Sequence, residues 1–216
     1  MRIWICSRIT VLLFLLVSVS LVQANIVLSV PDTAILPNAP GQSVLVYAIN
    51  PGAPVSLIGL GLNIQVADGG LEAGGLIRGP WVTDVDIFSP NFLFGLNNNG
   101  QGGAGSILPQ IYEAGTLTQS GFVQLPQGTV ILGSITLDTT GFSAYGEAWN
   151  LALESLNGTS DLFGTDGNPI SLILQAGRLT IVPEPSGYAL AAAGLIILGC
   201  RHKWRQIRGK KVLRCF

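Results

Sequence analysis

Few residues in this 216-residue chain are equipped for covalent or metal chemistry, and their positions narrow what that chemistry could be. The single histidine, His202, and the three cysteines, Cys6, Cys200 and Cys215, all fall in the two end segments, 1–24 and 183–216. The body between them has no Cys, His, Lys or Met. It therefore holds no Cys/His zinc site. It also holds no Ser-His-Asp triad, no Cys-His dyad and no lysine that could form a Schiff base. Without disulfides the body must fold on its own apolar core.

Carboxylates are what remain. Asp84 and Asp86 alternate along one expected strand, which puts both on one face about 7 Å apart. Oxygen density of that kind suits calcium, and so could the loop Asp161 to Asn168; solvated strand faces and turns are the competing reading of both. Apart from calcium, no cofactor is indicated. Glu113, Glu147 and Glu154 could supply the carboxylate pair of a glycosidase, but acids spread over several short strands read as solvent-facing charges. Gly100-Gln101-Gly102-Gly103-Ala104-Gly105 fits G-x-G-x-x-G in letters only. Pro109 follows where a helix is required, and no acid lies near position 120, so Asn97 to Gly105 is expected to be a flexible loop. Asn157-Gly158-Thr159 is a glycosylation sequon. Sugar binding would need exposed aromatics, for which Tyr47, Tyr112, Tyr145, Phe88 and Phe142 are candidates. Trp81 and Trp149 are expected to anchor the core.

The charges are divided unevenly. Lys and Arg number 11 and Asp and Glu 12, yet between Asn25 and Pro185 only Arg78 and Arg178 oppose all twelve acids, a net −10. A body without a basic face is no nucleic-acid binder. It is rich in Gly and Pro, which recur between short β-favouring runs. Those runs are 26–30, 44–49, 57–67, 81–88, 92–96, 107–113, 129–137, 149–153 and 172–182. Leu60, Leu62, Ile64 and Val66 alternate with Gly61, Asn63, Gln65 and Ala67, a half-buried strand. Val44, Val46 and Ala48 alternate with Leu45, Tyr47 and Ile49, a strand buried on nearly both faces. About nine strands without helical periodicity predict an all-β, two-sheet antiparallel β-sandwich with Greek-key links over residues 25–182.

The ends read as targeting segments. Arg2 and Arg8 precede an apolar run from Ile9 to Val22, and Val22-Gln23-Ala24 presents small side chains to signal peptidase. A signal peptide over 1–24, a helix cleaved between Ala24 and Asn25 after engaging the secretion machinery, is expected. Residues 183–216 begin with a stiff Pro-rich stretch. An apolar run, 187–200, follows as a short transmembrane helix of about 21 Å, against a hydrocarbon core of about 30 Å. The basic tail, 201–216, stays cytoplasmic by the positive-inside rule, which leaves the acidic body outside the membrane.

Val-Pro-Glu-Pro-Ser at 182–186, the short apolar helix and the Arg-rich end together resemble the PEP-CTERM sorting domain. The resemblance implies that Pro183, Glu184 and Pro185 are read by an exosortase, an integral-membrane cysteine transpeptidase. It also implies an inner-membrane tether, followed by transfer to the cell surface or exopolysaccharide matrix. The tail departs from that pattern by running on to Val212-Leu213-Arg214-Cys215-Phe216. In the body, Ala39-Pro40-Gly41-Gln42-Ser43-Val44, the run 54–64 and the closing Gly177-Arg178-Leu179-Thr180-Ile181 resemble the cohesin and carbohydrate-binding-module sandwiches. The expectation is an exported, non-enzymatic surface or matrix protein; the alternative is a cohesin-like module that binds a glycan or protein partner.

Overall fold

The computed structural model describes residues 25–100 and 102–183. Ala24 and the rest of the signal segment, Glu184, Pro185, the expected membrane helix and the basic tail lie outside the described residues. Among the described residues, no helix is long and apolar enough to cross a membrane.

The body is an all-β sandwich. One sheet runs in the order β14 (Leu172–Gln175), β1 (Ile26–Ser29), β3 (Gln42–Asn50), β9 (Gly128–Asp138), β5 (Trp81–Asp86). The other runs β2 (Thr33–Ile35), β15 (Gly177–Ile181), β10 (Ala148–Ala152), β4 (Val55–Val66), β7 (Ile111–Leu117), β6 (Gly102–Leu108). Two short strands, β8 (Val123–Leu125) and β13 (Asp161–Gly164), also pair with β4, and β11 (Glu154–Ser155) with β12 (Gly158–Thr159) forms a small separate hairpin. A 3-10 turn, Leu71–Ala73, is the only helical element among the described residues.

Alternation builds the core. On β4, Leu60, Leu62, Ile64 and Val66 are buried while Gly61, Asn63 and Gln65 are partly exposed. On β3, Val44, Val46 and Ala48 point inward against Ile135 and Leu137 of β9 and Leu28 of β1 in one continuous apolar cluster. Each such Val, Leu or Ile contributes about 1.5–3 kcal/mol by leaving water.

The described strands number fifteen rather than nine, because several apolar runs are broken by turns. Run 107–113 is divided by Pro109-Gln110 between β6 and β7, so Gly102 to Gly105 lies in an edge strand instead of a loop. Run 172–182 is divided at Ala176 into strands of different sheets. Segment 92–96 forms turns, and it is apolar because Phe94 is fully buried.

The sheets are not purely antiparallel. β1 pairs parallel with β14, and β2 with β15. Both terminal segments change sheets side by side, through Val30-Pro31-Asp32 and through Ala176. The crossing is tied by Val30 N donating to Gln175 O at 3.1 Å and Arg178 N donating to Asp32 Oδ1 at 2.8 Å. Gly177 is required here. A Cβ on it would lie 2.5 Å from the Pro31 carbonyl oxygen and 2.7 Å from that of Val30.

β5 corrects a second expectation. Its register against β9 shifts between Val82 and Asp84, a β-bulge. Val82, Val85 and Ile87 are therefore the buried residues, and Trp81 faces outward with 53% of its surface exposed. Trp81 is not a core anchor. Trp149, 6% exposed, is one.

Candidate functional site

At the end of the sandwich where β15 finishes, a cleft of about 270 Å³ opens beside Trp81. One wall is the loop leading from β4 to β5, which contributes Leu71, Glu72, Arg78 and Trp81. The turn between β6 and β7 adds Pro109 and Gln110, and the opposite wall is the turn after β9, from Thr140 to Phe142. That last turn leads to Gly146, whose N–H donates to Ile181 O at 3.0 Å. The cleft thus sits at the pole from which the chain leaves the body toward Pro183.

Local sequence folds the first wall tightly. Asp68 lies just past β4 and accepts from four N–H contacts. Oδ1 takes Gly70 N at 3.2 Å and Ile77 N at 3.3 Å; Oδ2 takes Leu76 N at 2.6 Å and Ile77 N at 3.1 Å. The bond from Leu76 leads in holding its carboxyl below the usual value, against a partial opposing effect of desolvation. Asn and Asp side chains that bond backbone groups further along the chain stabilise turns in this way.

Two buried side chains then fix the backbone of the residues that reach the cleft. Trp149 Nε1 donates to Arg78 O at 2.7 Å, and Gln110 Nε2 donates to Gly79 O at 2.9 Å. Gln110 is itself only 6% exposed, and its amide fills the space that a Cβ on Gly70 would need. Gly79 packs closely too: a Cβ there would lie 2.9 Å from Val66 Cγ1 and 3.2 Å from Trp149 Cδ1. Val82 N donates to Pro109 O at 2.7 Å, joining the start of β5 to the other sheet.

The opposite wall is equally constrained. Asp138 ends β9 and accepts Thr140 N at 2.8 Å; the bonds from Thr140 hold its carboxyl below the usual value. Thr139 is fully buried. Its Oγ1 donates to Leu36 O at 2.7 Å and accepts from Ala39 N and Gln42 Nε2, each at 3.0 Å. Phe142 meets Trp149 edge-on, with ring centroids 5.2 Å apart and planes at 80°. The chemistry available is binding. An exposed indole, one cation, one anion and one amide surround a small rigid recess, and such groups orient and hold a ligand.

The other candidate residues lie elsewhere. Asp84 is exposed beyond the bulge, and Asp86 is partly exposed on the same outer side. The carboxylate of Asp86 accepts from Phe88 N at 2.7 Å, Ser89 N at 3.2 Å and Ser89 Oγ. Burial opposes its ionisation, but these bonds prevail, so its pKa is lowered. Asp166 accepts from Asn168 N and Nδ2, closing the turn after β13. Glu113 lies on β7, Glu154 on β11, and Glu147 just before β10. Among the described residues, no three His, Cys, Asp or Glu side chains gather as metal ligands. Tyr112 is buried, Tyr47, Phe88 and Phe142 are half-buried, and Tyr145 is exposed. Asn25 is exposed immediately ahead of β1, and Pro183 is exposed just beyond β15. Asn157 is exposed in the β11–β12 turn.

Sequence reasoning missed Trp81. The usable signal was Val82 and Val85, two apolar residues separated by the polar pair Thr83-Asp84, a spacing that a bulge accommodates and regular alternation does not.

No model of a known protein family matches this chain, and no curated protein matches it. Among solved structures the fold is that of cohesin modules. A non-cellulosomal cohesin from the hyperthermophilic archaeon Archaeoglobus fulgidus is 17% identical, with a TM-score of 0.50 over 77% of this chain and 97% of that one. The sixth cohesin of scaffoldin B from Acetivibrio cellulolyticus, solved in complex with a Cel5 dockerin mutant, is 12% identical. Its TM-score is 0.52 over 74% of this chain and 100% of that one. The third cohesin of ScaC, in complex with the ScaB dockerin from Acetivibrio cellulolyticus, is 9% identical, with a TM-score of 0.53 over 73% and 99%. At such identities the likeness is one of fold.

Proposed function

We propose that this chain is an exported, non-enzymatic binding protein of the cell surface or extracellular matrix, whose cohesin-like body engages a glycan or protein partner. Signal peptidase cleaves between Ala24 and Asn25 after passage through the secretion machinery. The segment 183–216 then holds the body outside the inner membrane, and an exosortase reads Pro183, Glu184 and Pro185 as a PEP-CTERM signal before the mature protein passes to the surface or the exopolysaccharide. The division of charge, a −9 body over residues 25–182 between basic ends, supports this topology.

The observation that carries the binding role is the rigid cleft with Trp81 on its wall, 53% exposed. A half-exposed aromatic on a cleft wall, with its backbone fixed on both sides, offers a large contact area at low ordering cost. Calcium at Asp84 and Asp86 forms no part of this reading, because the carboxylate of Asp86 is already committed to Ser89 and Phe88.

The test follows the mature mass and the location of the full chain in its own host. The expected product begins at Asn25, lacks the basic tail and is cut by protease added outside the cell. Replacing Pro183, Glu184 and Pro185 with Ala should retain the tail and hold the protein at the inner membrane. A parent that keeps its tail, or a triple variant that behaves like the parent, sinks the sorting assignment.

A further inference from the structure

We propose that the Trp81 cleft is a subsite for a neutral pyranose ring of a polysaccharide, with the indole of Trp81 as its stacking platform. This rests on the surface-binding reading above and names the ligand class for it.

The argument starts from what a pyranose presents. One face is a patch of C–H groups, and the rim is a ring of hydroxyls. The C–H face matches the negative face of an aromatic ring, and the hydroxyls need donors and acceptors close by. The cleft supplies both. Trp81 offers the exposed ring, Arg78 carries donors and Glu72 acceptors, while the buried Gln110 amide is spent on holding Gly79 O beneath them. A cleft of about 270 Å³ has room for one such ring against the indole.

Charge selects the neutral class. Among the lining residues, Arg78 and Glu72 cancel, so the recess carries no net charge to reward an anion. The body around it, residues 25–182, carries eleven acids against two Arg, a net −9, and repels a polyanion such as a polyuronate. A protein partner needs about 800 Å² per side for a stable interface, and the cleft covers only a small part of that.

Preorganisation completes the case. The Trp149 bond to Arg78 O and the Gln110 bond to Gly79 O fix the backbone on the approach to Trp81, and Val82 N on Pro109 O fixes it immediately afterward. A platform held in this way loses little freedom on binding, which keeps the entropic cost of a weak, repeated contact low.

Affinity electrophoresis of the full chain in detergent tests the assignment, with gels containing hydroxyethylcellulose, galactomannan, xyloglucan or alginate. At least one neutral polymer should retard the parent, and alginate should not. Trp81→Ala should weaken that retardation about tenfold or more. Because 53% of Trp81 is exposed, the variant should lose only the stability of its buried half, and retardation is compared without urea, where both proteins are folded. Trp81→Phe should recover part of the binding. Retardation by none of the neutral polymers, by alginate alone, or equally in Trp81→Ala overturns the proposal; the first of these leaves the cleft to a protein partner. Loss of external display with retained binding would overturn the surface reading alone, and display without binding would overturn the glycan subsite alone.

Discussion

Trp149 Nε1 donates to the backbone carbonyl of Arg78 at 2.7 Å, across 71 residues of sequence. The bond joins a buried strand to the loop that carries the cleft, so the core directly sets the position of the exposed residues. Trp149→Phe keeps an aromatic ring against Phe142 but leaves that carbonyl without its donor. A loss of about 1–3 kcal/mol is expected from the unmade bond, read as a lower urea midpoint with an unchanged slope. An unchanged midpoint would mean that water replaces the indole without cost.

Thr139 and Gln42 form a second long-range tie, with Nε2 3.0 Å from Oγ1. Thr139→Val keeps the shape and removes a buried hydroxyl that serves Leu36, Ala39 and Gln42. The expected cost is about 1–3 kcal/mol. With Gln42→Ala the two changes should cost less together than the sum of each alone, because they remove one shared network. Strict additivity in a denaturation cycle would show that the two side chains act separately.

Gly177 and Gly61 should respond in opposite directions to alanine. At Gly177 the new Cβ would meet the carbonyl oxygens of Pro31 and Val30 at 2.5 and 2.7 Å, and backbone must shift. Overpacking of this kind costs about 1–3 kcal/mol. At Gly61 the nearest atom is 4.0 Å away and φ is ordinary, so alanine fits and restricts the unfolded chain. Gly61→Ala should be neutral or stabilising by up to about 1 kcal/mol. Thermal unfolding of both variants beside the parent decides it, and a Gly177→Ala melt equal to that of the parent would remove the packing argument at the crossover.

Acid should loosen four turns, two of which, at Asp68 and Asp138, form the cleft walls. Asp68, Asp86, Asp138 and Asp166 all have pKa values lowered from 3.8 in the folded chain by hydrogen bonds to their carboxylates. A lowered folded pKa means that the unfolded chain binds protons first. The associated stability is present above about pH 4 and is lost as pH falls through the folded values. Asp68→Asn should flatten the acid limb of a stability–pH curve measured between pH 2 and 6. An acid limb identical to the parent's would show that its bonds to Leu76, Gly70 and Ile77 contribute nothing.

Strand periodicity made much of the fold readable in advance. Leu60, Leu62, Ile64 and Val66 each carry their burial in their spacing, and the two-sheet class follows from many such runs separated by Gly and Pro. The same rule misled at β5. One extra residue between Val82 and Asp84 reverses which side faces inward, and Trp81 moved from expected core to exposed surface. The parallel pairings of β1 with β14 and β2 with β15 were not readable, because partner choice depends on contacts about 146 residues apart, as for Arg178 and Asp32.

The sequence alone determined the division of this protein into an acidic body and two basic ends. It also excluded thiol, imidazole and lysine chemistry from the body, since those statements need only residue identity and order. The tertiary structure decided the cleft. Arg78, Gln110, Phe142 and Trp149 come together only when both sheets are in register, and Trp81 is presented to solvent only because the bulge in β5 shifts the phase of the strand. Both are outcomes of long-range packing, which local spacing does not encode.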